Sequence, residues 1–282
     1  CDFLVSVGFH VKEDTQDTIS VTAPSFRVDV KRPEDLMEEV ARLSGYDHIP
    51  TTYPLIPAEA KIPQITLHHR RKTKTILNGF GFDEAINYSF MDKLDCDRLL
   101  LHAEDHRRSL VEILNPLTED QTVMRSTLLP GLLKTARRNI SQQIKTARLF
   151  EIGKAFIGKG KNRLPDEIEM LAGLWTGLRT DAVWNVPEVA CDFYDLKGVV
   201  EGLFKALKIK SAAFTRMPVD ACPYTKNGFA ALILADDIPL GLVGELHPRV
   251  LKNYDLKQTV FYFELDMNRL YGMIPQDLQA KP

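Results

Sequence analysis

Residues 124–157 read MRSTLLPGLLKTARRNISQQIKTARLFEIGKAFI, in which a full helix is followed closely by a long strand. The helix is predicted over residues 127–143, with Pro130 and Gly131 near its start. An amphipathic strand is predicted over residues 147–157. The larger part of the chain therefore combines helices with strands.

The sequence on either side of this stretch adds further elements of both kinds. Strands are predicted at residues 84–90, 110–114, 167–177, 228–235, 238–246 and 258–266. Helices are predicted at residues 65–78, 192–207 and 247–253. Asp236 and Asp237 lie between two of these strands and favour a tight hairpin. Strands joined by hairpins, with helices in clusters, indicate an α+β fold in which helices flank an antiparallel sheet.

The beginning of the chain has a different pattern and reads as a small separate unit. Residues 9–12 and 18–22 alternate between apolar and polar, which is typical of two strands joined by a turn. Pro33 then begins a helix with acidic residues in its first turn, and Gly45 occupies the position of a left-handed C-cap. Asp29 is expected on a strand that precedes this helix.

Four prolines between residues 50 and 63 indicate an extended linker, because proline interrupts both helices and sheets. The linker separates two predicted domains. We predict a small domain over residues 1–50, a linker over 51–64, a larger domain over 65–275 and a tail over 276–282.

The composition is compatible with a substantial core and no strong charge. Of the 282 residues, 44% are hydrophobic, and the formal net charge is −2. This balance gives no global attraction to nucleic acid or an anionic membrane. The sequence lacks a secretory signal and any apolar run of about 18 residues, so we expect a cytoplasmic protein. Because it begins at Cys1 and not at Met, we expect it to be a fragment of a longer chain.

Two groups of residues resemble a known family. The first group comprises residues 26–30 (FRVDV) and 34–50 (EDLMEEVARLSGYDHIP). The second comprises residues 115–117 (NPL), 124–133, 149–153 (LFEIG), 192–198 (DFYDLKG) and 244–248 (GELHP). In this order, the motifs are similar to those of bacterial-type phenylalanyl-tRNA synthetase β chains. The resemblance implies an internal fragment that contains the end of a small winged-helix-like domain, followed by a catalytic-like domain with a degenerate class II synthetase fold.

The resemblance also implies a function and partners. It describes a non-catalytic segment that supports a catalytic α subunit in the ATP-dependent charging of tRNA with phenylalanine. The family acts as a heterotetramer of two α and two β subunits, in which ATP and phenylalanine are bound by the α subunit and tRNA by the whole assembly. The isolated fragment is therefore expected to be inactive.

An acidic cluster at the start of the small domain's helix suggests a cation site. Glu38 and Glu39 lie three and four residues after Asp35, so all three carboxylates are expected to lie close together on the surface of a helix, where like charges repel. Asp29 lies shortly before them. Hard oxygen ligands suit Mg²⁺. The resemblance assigns magnesium binding to Asp29, Asp35, Glu38 and Glu39, at the contact with the α subunit. Two alternatives need no metal: acids in a first turn favour the helix dipole, and Glu38 can pair with Arg42.

The chemistry of class II synthetases needs arginines that face the α-phosphate of ATP. Arg125 precedes a full helix and not a short hairpin loop, and no glycine-rich stretch ending in Glu-Arg follows near the C-terminus. Residues 261–266 instead read as an alternating strand without a phosphate-binding group. We therefore interpret Asn115, Arg125 and Glu151 as scaffold, with Arg125 in an interface or a buried pair.

Two other functions compete with this one. A free-standing winged-helix protein would bind nucleic acid, and the basic run over residues 68–74 could contact phosphates. No aromatic residue is interleaved in that run for base stacking, and the net charge is nearly neutral. An autonomous class II enzyme would form an acyl-adenylate unaided, which the missing arginine motif argues against.

Overall fold

The computed structural model describes residues 1–13, 15, 18–54, 65–160, 163–180 and 183–275. The chain divides into two compact units, Cys1–Lys61 (unit 1) and Ile62–Pro282 (unit 2). Most of the predicted linker and all of the predicted tail lie outside the described residues, so the three predicted boundaries stay predictions.

In its described residues, unit 1 contains a pair of antiparallel strands, two α-helices and a short 3₁₀ helix at Tyr46–His48. Its elements are helix α1 (Asp2–Ser6), strand β1 (His10–Glu13), strand β2 (Ile19–Thr22) and helix α2 (Pro33–Ser44). Helix α2 begins at the predicted proline, and Gly45 ends it with φ 95° while its N–H donates to the carbonyl of Ala41 over 2.9 Å. The prediction of a strand before this helix is wrong. Residues 23–32 form turns and irregular backbone, and within the described residues no strand pairs with them.

Unit 2 contains the remaining elements. Its helices are α3 (Ile65–Gly79), α4 (Asp95–Arg98), α5 (Leu129–Ser141), α6 (Phe193–Ala206), α7 (Pro248–Asn253) and α8 (Met267–Met273). Its strands are β3 (Asp83–Glu84), β4 (Phe90–Met91), β5 (Val111–Glu112), β6 (Val123–Met124), β7 (Ala147–Ile157), β8 (Asp166–Thr176), β9 (Ala212–Arg216), β10 (Thr225–Ala235), β11 (Ile238–Leu246) and β12 (Val260–Asp266). Within the described ranges, no helix has both the length and the apolar character needed to cross a bilayer.

A seven-stranded sheet forms the centre of unit 2, in the order β3-β7-β8-β12-β11-β10-β9. Neighbouring strands are antiparallel except at one edge, where β3 runs parallel to β7. Asp236 and Asp237 connect β10 to β11 with φ values of 48° and 63°. Positive φ at both central positions is the geometry of the tight hairpin turn that the sequence predicts.

Side chains cover both faces of this sheet. On one face, Leu132 of α5 and Val250 of α7 join Tyr262 in a buried cluster. On the other face, Leu77 of α3 and Leu203 of α6 join a second buried cluster. Strand β12 is consequently buried from Val260 through Leu265 on both sides, and not on alternate positions as the sequence predicts. The predicted fold class, an antiparallel sheet flanked by helices, is confirmed.

A small second sheet lies beside the large one, in the order β4-β6-β5. The single strand predicted over residues 84–90 is wrong in one respect, since β3 and β4 belong to different sheets. The chain leaves β7 after Ala85, whose N–H donates to the Phe150 carbonyl over 2.7 Å. It then joins the end of β6, where the N–H of Arg125 donates to the Ser89 carbonyl over 2.9 Å.

Candidate functional site

A buried ion pair joins the two sheets of unit 2. Arg125 directly follows β6, and Glu151 lies on the inner face of β7; the two residues are 6% and 3% exposed. Arg125 Nη1 donates to Glu151 Oε1 over 2.5 Å, and Arg125 Nε donates to the carbonyl of Lys154 over 2.9 Å. The sequence interpretation of Arg125 as a buried-pair residue is therefore confirmed. A β-carbon added at Gly153 would overlap the Arg125 guanidinium, so the site depends on a glycine there.

The second oxygen of Glu151 is also engaged within the chain. Asn87 Nδ2 donates to Glu151 Oε2 over 2.7 Å, and Thr135 Oγ1 donates to Asn87 Oδ1 over 2.7 Å. The network thus links the segment after β3 with helix α5 and strand β7. Because Arg125 and Glu151 neutralise each other, neither charge is presented to a ligand. Asn115, the third predicted scaffold residue, lies exposed in a bend.

A second buried carboxylate was missed by the sequence interpretation. Glu264 of β12 is 7% exposed and accepts hydrogen bonds from Thr127 Oγ1 over 2.8 Å and from the N–H of Leu128 over 3.3 Å. These contacts hold the start of helix α5 against the sheet. The sequence does contain a signal for Glu264, because it is the only carboxylate in the apolar run of residues 260–265. A buried acid requires hydrogen-bond donors, so such a residue predicts a polar contact within the core.

Two of the quoted motifs begin helices. Asp192 accepts from the N–H of Asp195 over 3.0 Å, and Asp195 accepts from the N–H of Asp192 over 2.8 Å, which is a capping box for helix α6. His247 Nδ1 accepts from the N–H of Arg249 over 3.1 Å and caps helix α7. These polar residues therefore satisfy backbone donors of the fold.

The acidic cluster of unit 1 is organised around arginines. Arg27 donates to both carboxylate oxygens of Asp29, over 3.0 Å from Nε and 2.7 Å from Nη2. The same Nη2 donates to Glu39 Oε1 over 2.9 Å, and Arg42 Nη2 donates to Glu39 Oε2 over 2.6 Å. Glu39 is only 8% exposed, so the expectation that Asp35, Glu38 and Glu39 lie together on the surface is wrong for Glu39. Arg42 pairs with Glu39 and not with Glu38.

The other two predicted magnesium ligands, Asp35 and Glu38, have different surroundings. Asp35 Oδ2 accepts from the N–H groups of Lys31 and Arg32, each over 2.7 Å, and caps helix α2. Glu38 is exposed. In the described part of the chain, no three histidine, cysteine or acidic side chains are arranged to hold a metal ion. Asp29, Asp35 and Glu39 are committed to arginines and to backbone N–H groups, so the set does not fit Mg²⁺ in this arrangement, and the magnesium assignment stays a prediction.

The arginine contacts predict a pH dependence in unit 1. The hydrogen bonds from Arg27, and then those from Arg42, lower the pKa of Glu39 from 4.5 to about 2. A lowered folded-state pKa stabilises the fold above the unfolded value, so this stabilisation is lost as the pH falls from 4.5 toward 2. We expect the amides of helix α2, followed by hydrogen exchange corrected for intrinsic rates, to lose protection in this window.

The matched variants for that measurement are Glu39→Gln and Glu38→Gln. We expect Glu39→Gln to be less protected at neutral pH and to lose less protection than the wild type between pH 4.5 and 2. The remaining loss comes from Asp29 and Asp35, whose pKa values are also lowered by hydrogen bonds. Glu38→Gln should follow the wild-type curve. Equal pH profiles for the wild type and Glu39→Gln would show that the loss of protection in helix α2 does not come from Glu39.

The architecture of unit 2 defines a class of protein. Pyrrolysyl-tRNA synthetase from Desulfitobacterium hafniense has a similar fold, with a TM-score of 0.56 at 16% sequence identity over 88% of this chain and 80% of that chain. A second structure from the same organism, of the pyrrolysyl-tRNA synthetase PylSc, gives a TM-score of 0.54 at 15% identity over 87% of this chain and 77% of that one. The fold is that of the class II aminoacyl-tRNA synthetases.

Sequence comparison specifies the family within this class. The family described as phenylalanyl tRNA synthetase beta chain CLM domain matches residues 49–267, and the tRNA synthetase B5 domain matches residues 1–46. The chain belongs to the phenylalanyl-tRNA synthetase β chain family, and the resemblance drawn from its motifs is confirmed.

Curated relatives agree with this assignment. The phenylalanine–tRNA ligase beta subunit of Geobacter sulfurreducens is 43% identical over 269 residues, which cover 93% of this chain and 33% of that protein. The corresponding subunit of Staphylococcus aureus strain MRSA252 is 36% identical over 269 residues, covering 95% of this chain and 32% of the relative. The chain thus spans about a third of the length of these curated relatives.

Proposed function

We propose that this chain is a non-catalytic segment of the β subunit of a phenylalanine–tRNA ligase, and that it supports a catalytic α subunit. The observation that carries the proposal is that both faces of the central sheet of this class II fold are covered by side chains of the chain itself. Leu132, Tyr224 and Tyr262 are fully or almost fully buried on one face, where a bound nucleotide would have to displace them. On the other face, Phe204 and Phe263 are equally enclosed.

The state of Arg125 supports the same conclusion. Adenylate formation requires positive charge held at the α-phosphate where negative charge develops. Arg125 is instead neutralised by Glu151 and screened from solvent. A chain that keeps the fold without a free arginine at this position suits the role of a partner better than that of a catalyst.

The proposal extends to the assembly. The whole protein would act in the cytoplasm in a heterotetramer of two α and two β subunits, in which the α subunit binds ATP and phenylalanine. Transfer RNA would be bound by the assembly. In helix α3, Arg70 pairs with Glu169 over 3.1 Å and Lys74 pairs with Glu84 over 2.5 Å, which leaves fewer cations of the basic run available for phosphate.

Activity measurements test the central proposal. The full-length β subunit co-expressed with its α subunit is expected to catalyse phenylalanine-dependent ATP–pyrophosphate exchange. This chain alone, at equal concentration, is expected to give only the background rate. The control is a reaction without phenylalanine. Phenylalanine-dependent exchange by the isolated chain would refute the proposal.

Magnesium remains a separate proposal that concerns the assembled enzyme. Asp29, Asp35, Glu38 and Glu39 would supply oxygen ligands only if the Arg27 side chain moved away from the cluster. Bound Mg²⁺ would replace the guanidinium as the neutralising cation. Hydrogen exchange of residues 29–39 in the assembled enzyme, with and without MgCl₂, tests this: added protection supports it, and no change contradicts it.

A further inference from the structure

Positive charge is concentrated in two stretches of unit 2. Residues 129–149 and 247–263 together contain eight lysines and arginines but a single acidic residue, Asp255, whereas the whole chain has a formal net charge of −2. The first stretch comprises helix α5 and the start of β7, and the second comprises helix α7 and most of β12. A local excess of cations in a nearly neutral chain attracts anions to the surface that carries it.

The two stretches meet at one end of the large sheet. The first residues of β7 and β12 both lie opposite Thr176, on the two sides of β8, so they are about 10 Å apart. Thr176 Oγ1 donates to the carbonyl of Thr259 over 2.7 Å. A β-carbon added at Gly177, the next residue, would lie 2.4 Å from the carbonyl oxygen of Lys145. The backbone that leads into each strand is therefore in contact with the end of β8.

The helices that precede these strands are joined as well. Leu132 of α5 and Val250 of α7 belong to the same buried cluster, so both helices pack on one face of the sheet. Arg137 of α5 pairs with Asp255, which lies two residues beyond the end of α7, over 3.2 Å. This ion pair connects the two stretches and also neutralises the single acidic residue that they contain.

Five of the eight cations remain available to an external anion. Lys134 and Arg137 form ion pairs, and the Arg148 guanidinium lies over the Trp175 ring, 4.6 Å from its centre. The other five side chains are exposed, and among the residues that the structure describes none of them has an ion-pair or hydrogen-bond partner. We name these five residues the Lys145 surface: Arg138, Lys145, Arg249, Lys252 and Lys257.

Stabilisation of helix ends does not account for this set. Arg138 and Lys252 lie in the last turns of their helices, where a cation complements the helix dipole. Lys145 and Lys257 each lie four residues beyond a helix end, outside the range of that effect. Arg249 is the second residue of α7, where the dipole disfavours a cation. An anionic partner explains all five positions.

The surface has the chemistry of a phosphate-backbone site. Lysine and arginine neutralise nucleic-acid phosphates and release the counterions condensed on them. The aromatic residues of the two stretches are all buried, so none can stack on an unpaired base. Double-stranded RNA is recognised largely through its phosphates and its shape, without base stacking on the protein. The set therefore fits a helical RNA better than a single strand.

We propose that the Lys145 surface binds the phosphate backbone of a helical stem of transfer RNA, a statement that rests on the proposed function. That function supplies RNA as the polyanion that the assembly handles. The contact lies on the α5 and α7 face of the sheet. The basic run of helix α3 packs on the other face and is partly neutralised by Glu84 and Glu169.

The test uses the full-length β subunit assembled with its α subunit. Lys145→Gln and Lys257→Gln are introduced together, and the Kd for phenylalanine transfer RNA is measured by filter binding at several KCl concentrations. We expect binding at least about tenfold weaker at 0.1 M KCl. The slope of log K against log salt should fall by about two, because each lost phosphate contact removes about one. An unchanged Kd and an unchanged slope would overturn the proposal.

The matched control combines Arg71→Gln with Lys210→Gln. Both residues are exposed cations without a partner among the described residues, but Arg71 lies on helix α3 and Lys210 precedes β9 at the other end of the sheet. The control should bind as the wild type does. Equal weakening by the control would indicate a diffuse attraction and would refute the Lys145 surface. Circular dichroism melting of both variants should match the wild type, because the substituted side chains are exposed.

Two further measurements separate the alternatives. Vesicles with anionic lipid are offered to the wild type and to the double variant. If only vesicle binding depended on Lys145 and Lys257, the surface would be a lipid site and the proposal would fail. Phenylalanine-dependent ATP–pyrophosphate exchange by the wild-type assembly tests the proposed function independently. Without exchange both proposals fail, whereas exchange together with RNA binding that ignores the two lysines refutes the Lys145 surface alone.

Discussion

Replacement of Arg125 by leucine is expected to destabilise unit 2 by about 3–5 kcal/mol. The substitution leaves Glu151 buried at 3% exposure without its cation, and Asn87 alone cannot compensate a carboxylate charge. For a unit of this size the loss corresponds to a fall in melting temperature of about 10 °C. Thermal unfolding followed by circular dichroism measures it.

The control for this substitution is Arg137→Leu. Arg137 pairs with Asp255 over 3.2 Å, but the two side chains are 59% and 72% exposed. Solvent screens such a pair, so its removal should cost about 1 kcal/mol or less. Equal losses for Arg125→Leu and Arg137→Leu would show that the buried pair has no special role in stability.

Replacement of Phe263 by alanine is expected to cost about 3–5 kcal/mol, through lost burial and the cavity that remains. Phe263 lies on β12, the fourth strand of the sheet, and is fully buried. It lies opposite Val243 on one neighbouring strand and Gly173 on the other. Urea unfolding at constant pH gives the difference in free energy. Phe229→Ala, at a residue 48% exposed on β10, should cost about 1 kcal/mol or less.

A second substitution tests the cause of that loss. A β-carbon added at Gly173 would overlap the ring of Phe263. Gly173→Ala should therefore destabilise the wild type, yet be tolerated in the Phe263→Ala background, where the ring is absent. Additive effects of the two changes would contradict the packing explanation, because residues in contact are expected to couple.

Elements with strong local signals could be predicted from the sequence. Pro33 and Gly45 bound helix α2 because proline suits a first turn and glycine adopts positive φ. Strand β7 occupies the predicted residues 147–157. Asp236 and Asp237 form the predicted turn, since their side chains tolerate the left-handed region.

Features that depend on distant partners could not be predicted. Arg27 lies twelve residues from Glu39, and the local pattern at the helix surface favoured Glu38 as the partner of Arg42. The division of residues 84–90 between two sheets depends on β7 and β6, which come much later in the chain. The short helix α8 and strand β9 were missed because their positions follow from packing on the sheet. The magnesium site was suggested by resemblance and by charge spacing, and neither reveals where arginine side chains lie.

Because side chains cover both faces of the central sheet, a phosphate-binding side chain cannot easily be introduced there. A mutant of this chain that regained one phosphate-binding side chain would place it among tightly packed hydrocarbon, where an unpaired polar group costs several kcal/mol. Each such side chain would thus lower the free energy of unfolding unless a hydrogen-bonding partner were introduced with it. On the proposed function, side-chain packing on both faces of the sheet therefore opposes the return of a phosphate-binding site through single substitutions.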